Sequence, residues 1–209
     1  MPEGHPIFAV FYRWCGALGD RGESAARRRR LLADAAGVVV EIGAGTGLNF
    51  PHYPAGLEVA ATEPDPHMLK AARKAASRAR AKVTVLRAAA EALPLPSRSA
   101  DVVVSTLVLC SVPDQAAALA EAYRVLKPGG RLLLLEHVRA GDPALARKRD
   151  RRERTQVRFA GGCHPNRDTL RAVVAAGFDA RAVEDVTLPG MRITRPGIAG
   201  VARKAEQTG

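Results

Sequence analysis

Residues 38–49, Val-Val-Val-Glu-Ile-Gly-Ala-Gly-Thr-Gly-Leu-Asn, restrict the fold of this chain more than any other stretch. Val38 to Val40 form a β-branched apolar run of the kind that fills a parallel strand buried on both faces. The run ends in an acid, Glu41, and glycines then alternate at Gly43, Gly45 and Gly47. Glycine lets the backbone turn sharply and lets a ligand lie directly against the main chain. The spacing also discriminates between ligands. Counted from Gly43, the dinucleotide fingerprint G-x-G-x-x-G/A needs a small residue where this chain has Leu48, which disfavours a nicotinamide-dependent oxidoreductase.

Apolar runs and helical patterns alternate along the rest of the chain. That order predicts an α/β, doubly wound, Rossmann-like fold: seven strands in a mostly parallel sheet with helices on both faces. The expected strands are Val38–Ile42, Leu57–Thr62, Val83–Arg87, Asp101–Thr106 and Arg131–His137. Phe178–Val186 and Met191–Thr194 would close the sheet as a hairpin through Leu188-Pro189-Gly190. A basic helix is expected over about 23–36, and a helix opening near Gly45 that Pro51 and Pro54 keep short. Pro66 suits the first turn of a helix over about 66–81. Pro113-Asp114 caps another, which Lys127-Pro128-Gly129-Gly130 stops after Leu126. The charged stretch 142–158 has a helical pattern, and Asn166 or Asp168 caps a helix ending at Gly177. Near the start, Phe8, Phe11, Tyr12 and Cys15 fall at i, i+3, i+4 and i+7, one face of a helix. Such a helix can pack on the sheet, form an aromatic lid over a substrate pocket, or touch a membrane surface.

At 209 residues, one domain is expected, with an N-terminal helical cap at 1–36, a core at 37–137 and a completing segment at 138–209. The net charge of +11 resides mainly in predicted helices, Arg27–Arg30, Arg73–Lys82 and Arg147–Arg158, and reads as solvated helix faces. No aromatic side chains are interleaved with these runs to stack on bases, so no nucleic-acid partner is expected. Cys15, Cys110 and Cys163 form no C-x-x-C pair, so neither a disulfide framework nor a zinc site is indicated, and no metal is expected. No run is long enough to span a bilayer and no secretory signal is visible, so a cytoplasmic location is expected.

The pattern Glu41-x-Gly43-x-Gly45-x-Gly47 resembles motif I of the class I S-adenosylmethionine (SAM) methyltransferases. The resemblance covers about residues 38–137. It implies SAM as cofactor, held by Glu41, Gly43, Ala44, Gly45, Thr46, Gly47 and Asn49 around its methionine end, with free N–H groups and a helix dipole favouring the carboxylate. Glu63, followed by Pro64, closes the second strand about 20 residues on, where a carboxylate accepts from ribose hydroxyls. Ala90, Glu91 and Ala92 resemble the loop beside the adenine, although Ala89 stands where that family usually has Asp. Thr106, ending the fourth strand, completes the implied cofactor set.

Two finer segments, Val102 to Val112 and Glu136-His137-Val138, join Asn49-Phe-Pro-His-Tyr-Pro54 and Gly161-Gly-Cys-His164 in a closer likeness. They resemble the methyltransferase-like group that includes membrane-associated alkyl-thiol methyltransferases and bacterial relatives. Animal members begin with a hydrophobic anchor, whereas this chain offers only mixed residues from Ile7 to Gly19, enough at most for weak membrane-surface contact. The expected activity is methyl transfer to a small molecule, with a thiol acceptor slightly preferred. The alternatives are O- or N-methylation of a phenolic, polyketide-like or phospholipid acceptor, and SAM binding without turnover. His137, at the carboxyl end of the fifth strand, is the first catalytic candidate. Cys110 is the second, standing with Ser111 where related quinone and sterol methyltransferases often carry His-His. Phe8, Phe11, Tyr12, Ser111 and His164 are candidate acceptor contacts.

Overall fold

A computed structural model describes residues 22–159, 162–189 and 195–206. The proposed aromatic lid, with Phe8, Phe11, Tyr12 and Cys15, lies outside the described residues, as does the Met191–Thr194 strand. Helix α1 (Glu23–Leu32) leads into β1 (Val39–Ile42), a 3-10 turn (Phe50–His52) and β2 (Glu58–Thr62). Helix α2 (Pro66–Ala76), β3 (Lys82–Leu86), β4 (Ala100–Thr106) and α3 (Gln115–Val125) follow. The chain continues through β5 (Leu126–His137), α4 (Pro143–Phe159), α5 (Thr169–Ala175), β6 (Phe178–Thr187) and β7 (Pro196–Lys204).

These strands form one seven-stranded sheet in the order β3-β2-β1-β4-β5-β7-β6. Strands β1 to β5 run parallel, and β7 lies antiparallel between β5 and β6. Alternate residues of each strand face opposite sides, so one strand feeds two cores. Val39, Val102, Val104 and Leu133 pack with Leu32, Phe50, Tyr53 and Ala72, so α1, the 3-10 turn and α2 cover one face. Val40, Ile42, Val103 and Leu134 pack with Leu119, Ala122 and Val173, so α3 and α5 cover the other. All four residues of β1 are buried, the acid Glu41 included.

Three aspartates set helix starts. Asp65 accepts from the amides of His67 and Met68, Asp114 from Ala117, and Asp168 from Arg171. Each satisfies N–H groups that a first helical turn leaves open. The charged stretch also docks by identifiable contacts. Arg149 of α4 is fully buried and donates to the carbonyls of Val138 and Pro165 at 2.9 and 3.1 Å. Arg139 grips Asp150 through two bonds of 3.0 and 2.9 Å.

Among the described residues, Pro196–Lys204 is the seventh strand of the sheet. One expectation is corrected: no α-helix opens at Gly45, and residues 45–49 form turns that run into the 3-10 turn. Gly43, Gly45 and Gly47 adopt φ of 58°, 59° and 85°, a left-handed conformation that a right-handed helix cannot contain. Pro54 then keeps the 3-10 turn from growing into a helix, since it disfavours the helical conformation at Tyr53, which is extended.

Gly47 is held to glycine twice over. A Cβ there would lie 2.7 Å from ring carbons of Phe50 and 2.8 Å from Cβ of Ala75. Gly47→Ala is therefore expected to lower the unfolding free energy by about 2–5 kcal/mol, from the left-handed backbone and overpacking together. Urea unfolding measures this, and an unchanged midpoint would contradict the packing.

Candidate active site

Strand order reverses between β1 and β4, and in open α/β sheets ligands bind beyond the carboxyl ends of the strands at that switch. A polar network occupies the floor there. Glu41, at the end of β1, is 1% exposed and accepts from Tyr53 Oη at 2.7 Å and Asn49 Nδ2 at 3.0 Å. Asn49 Nδ2 also donates to Thr106 Oγ1 at 2.9 Å. Arg28 Nη1 donates to Asn49 Oδ1 at 2.8 Å and to Thr106 Oγ1 at 2.9 Å. Burial raises the Glu41 carboxyl to about 7, against the pull of Tyr53, Asn49 and Arg28. Burial and the neighbouring Glu41 hold the Tyr53 hydroxyl well above its ordinary value. Glu41, Asn49 and Thr106 thus bond to one another beneath the glycine turn. Arg28 escaped the sequence reading because it sits in a run of four arginines. Its signal was its place one helical turn before Leu32, the other buried residue of α1.

Glu63 closes β2 at 5% exposure. Its two oxygens accept from the Gly45 amide at 2.8 Å and the Asp65 amide at 2.9 Å. Burial raises its pKa, partly offset by these two amides. The carboxylate therefore stands directly against the glycine turn, next to Pro64. The residues present fit SAM. Alternating left-handed glycines form the kind of backbone concavity that accepts an anion, and the buried Glu63 gives a diol two charged acceptors. The element that follows β1 is a turn and not a helix N-terminus. After β3, Ala90, Glu91 and Ala92 form a turn in which the Ala92 amide bonds the Ala89 carbonyl at 3.2 Å. The Glu91 carboxylate accepts from the Asp114 amide at 3.2 Å, at the cap of α3.

Arg28 and His137 both line one small pocket of about 40 Å³. Ser24, Arg27, Leu107, Leu135, Leu188 and Pro189 complete its lining. Leu107 takes a left-handed φ of 60°, uncommon for a branched side chain, and its amide bonds the Leu135 carbonyl at 2.8 Å. Next along the chain, Glu136 is fully buried and holds the following loop. Its Oε1 accepts from Ser105 Oγ at 2.7 Å and from the amides of Val108 and Leu109 at 3.0 and 3.2 Å. Those amides precede Cys110, so Glu136 fixes where that thiol lies.

His137 Nδ1 is 3.8 Å from Cys110 Sγ and 3.7 Å from Cys163 Sγ, and the two sulfurs are 3.6 Å apart. The sequence named His137 and Cys110 as separate candidates and gave no sign that they meet, nor that Cys163, distant along the chain, joins them. The His164 amide donates to the Cys110 carbonyl at 2.6 Å and ties the two segments together. Ser111 Oγ lies 3.5 Å from Cys110 Sγ. Burial pulls the His137 imidazole down in pKa, but the Cys110 sulfur and the Glu136 charge outweigh it, and the net shift is upward. Contact with Cys163, reinforced by burial, pushes the Cys110 thiol well above its ordinary range. The same contact lowers Cys163.

Strand order, glycine turn and carboxylate at the end of β2 together define a SAM-binding α/β methyltransferase. The methyltransferase domain family matches residues 40–134. Thiol S-methyltransferase TMT1A of Homo sapiens is 33% identical over 182 residues, which is 79% of this chain and 70% of that protein. Thiol S-methyltransferase TMT1B of Rattus norvegicus is 37% identical over 151 residues, 70% of this chain and 62% of that protein. The chain belongs to the class I SAM-dependent methyltransferases. Its fold is shared by a SAM-dependent methyltransferase of Thermotoga maritima at TM-score 0.69 and 24% identity, covering 95% of this chain and 97% of that one. Among the described residues, no helix is long and apolar enough to cross a membrane.

Proposed function

We propose that this chain methylates the sulfur of a small-molecule thiol, and that His137 receives the thiol proton. The observation that carries the reading is the place of His137: the carboxyl end of β5, in the wall of a small pocket that Arg28 also lines. The names of the related TMT1 proteins support sulfur as the acceptor atom. SAM supplies an electrophilic methyl group that needs no further activation. The glycine turn and Glu63 would hold it, with the 90–92 turn on the adenine side. The chain's remaining tasks are to align the acceptor, exclude water and remove one proton.

A thiol suits what the pocket offers. With a pKa near 8.5, a thiol loses its proton at pH 7 for about 2 kcal/mol, within the means of one imidazole. Leu107, Leu135 and Leu188 make part of the lining apolar. The free thiols Cys110 and Cys163 suit a reducing compartment, and we place the protein in the cytoplasm on that basis.

The test is release of S-adenosylhomocysteine from SAM across matched monothiol, phenol, amine and phospholipid acceptors. Release with the thiols, and little with the others, is expected. Release with another class while thiols stay inert would discard the sulfur assignment. SAM binding without release on any acceptor would make the chain a binder without turnover.

A further inference from the structure

We propose that Cys110, Cys163 and His137 form a three-ligand site for a thiophilic divalent cation, Zn2+ above all, and that filling it switches methyl transfer off. The donor atoms are Cys110 Sγ, Cys163 Sγ and His137 Nδ1, all within 4.8 Å of one another. Their separations are 3.6 Å between the sulfurs, and 3.8 and 3.7 Å from the nitrogen to Cys110 and Cys163. Tetrahedral zinc, with Zn–S of about 2.3 Å and Zn–N of about 2.0–2.1 Å, places two sulfurs about 3.8 Å apart and a sulfur and a nitrogen about 3.6 Å apart. The observed triangle matches one face of that tetrahedron to within about 0.2 Å, so the cation enters with little movement of its ligands.

The donor set selects the metal. Two thiolates and an imidazole favour Zn2+ and other soft or borderline cations over Mg2+ or Ca2+. Three separate segments supply the ligands: the loop after β4, the end of β5, and the segment before α5. Each is anchored independently of any metal. Glu136 holds the amides of Val108 and Leu109 ahead of Cys110. The His164 amide bonds the Cys110 carbonyl, and Arg167 Nη1 donates to the carbonyls of Leu109 and Val112 at 2.8 and 2.6 Å. These bonds pay in advance much of the ordering cost that a metal site otherwise meets on binding. Two thiolates also offset the charge of the ion in a place where an unpaired charge would be costly.

The functional consequence follows from His137. Nδ1 supplies a lone pair either to the metal or to a proton, not to both, and the imidazole loses its part in proton transfer once coordinated. This switching half rests on the proposed role of His137 in thiol methylation; the binding half does not.

The experiment uses the full chain, reduced with a non-thiol reductant and stripped of metal. Titration with Co2+ is expected to give, at one equivalent, an intense near-ultraviolet thiolate-to-metal absorption that Zn2+ displaces. Cys163→Ser, and separately Cys110→Ser, are expected to lose that absorption and to weaken Zn2+ binding by more than the ~10–100-fold typical of outer-shell changes. Circular dichroism of each variant verifies that its fold is kept. In the methylation assay, one equivalent of Zn2+ is expected to stop the parent chain and EDTA to restore it, whereas the ratio of turnover with the ion to turnover without it is expected to stay near one in Cys163→Ser, whatever the basal rate of that variant. Absence of the Co2+ absorption, equal binding by parent and variants, or a Cys110–Cys163 disulfide in the reduced protein would each overturn the site. Metal binding with undiminished turnover would overturn the switch. If the metal-free chain methylates no thiol, the proposed function fails, while the Co2+ titration still decides the site.

Discussion

Replacing His137 with Gln is expected to lower kcat for thiol methylation by about 10²- to 10⁴-fold, the usual range for a positioned proton acceptor. SAM affinity is expected to hold, because His137 is assigned to the acceptor and the groups assigned to SAM are other residues. Glutamine fills similar space and still hydrogen-bonds, so the loss reports the missing base rather than a cavity. The pH profile is the sharper reading. The imidazole must be neutral to take a proton, and its pKa lies above the ordinary 6.5. In the metal-free protein, kcat/KM should therefore rise with pH through a limb centred above 6.5 and fall away on the acid side as His137 is protonated. In the variant that limb should vanish. What remains should follow the ionisation of the acceptor thiol, near 8.5, and move when a thiol of different pKa is used. A variant with undiminished turnover, or a parent profile that tracks only the acceptor, would remove His137 from the reaction.

The sequence carried the site unevenly, and the reasons are physical. Strand ends are legible because buried parallel strands are continuous apolar runs, and chemistry gathers where the runs stop. Glu41, Glu63, Thr106 and His137 all stand at such ends. The glycine spacing announced a ligand turn, but not the handedness of its residues. A helix was expected where three left-handed glycines make turns. Arg28 was hidden because charge usually means solvent, and only its helical phase with Leu32 betrayed it. Cys163 was hidden because its meeting with Cys110 depends on how the segment after α4 returns to the loop after β4. No local pattern encodes that. Strand β7 was missed because Gly197 and Gly200 weaken its strand signal. Both are there for close approach: a Cβ on Gly200 would fall 2.2 Å from the Ala182 carbonyl oxygen, and one on Gly197 would fall 2.5 Å from Leu188.

Glu63→Ala is expected to weaken SAM binding by about 10²- to 10⁴-fold. Two hydrogen bonds from ribose hydroxyls to a carboxylate contribute about 1.5–3 kcal/mol each, and each 1.4 kcal/mol is tenfold in affinity. The neighbours of Glu63 explain why it is poised for this. Without ligand its oxygens rest on the Gly45 and Asp65 amides, and burial keeps its pKa raised. A group whose folded pKa exceeds its unfolded one contributes stability that is complete at low pH and is lost as pH rises through the folded pKa. Ionised Glu63 is thus a cost to the folded chain, one that hydroxyl donors from a ligand offset. Binding and stability should therefore part company. Glu63→Gln removes the ionisation cost, so its stability relative to the parent should improve as pH rises, while its SAM affinity falls. Calorimetric titration with SAM and urea unfolding across pH measure the two separately. A Glu63→Ala chain that binds SAM as the parent does would place the ribose elsewhere. A Glu63→Gln chain whose relative stability ignores pH would mean that the carboxylate carries no such burden.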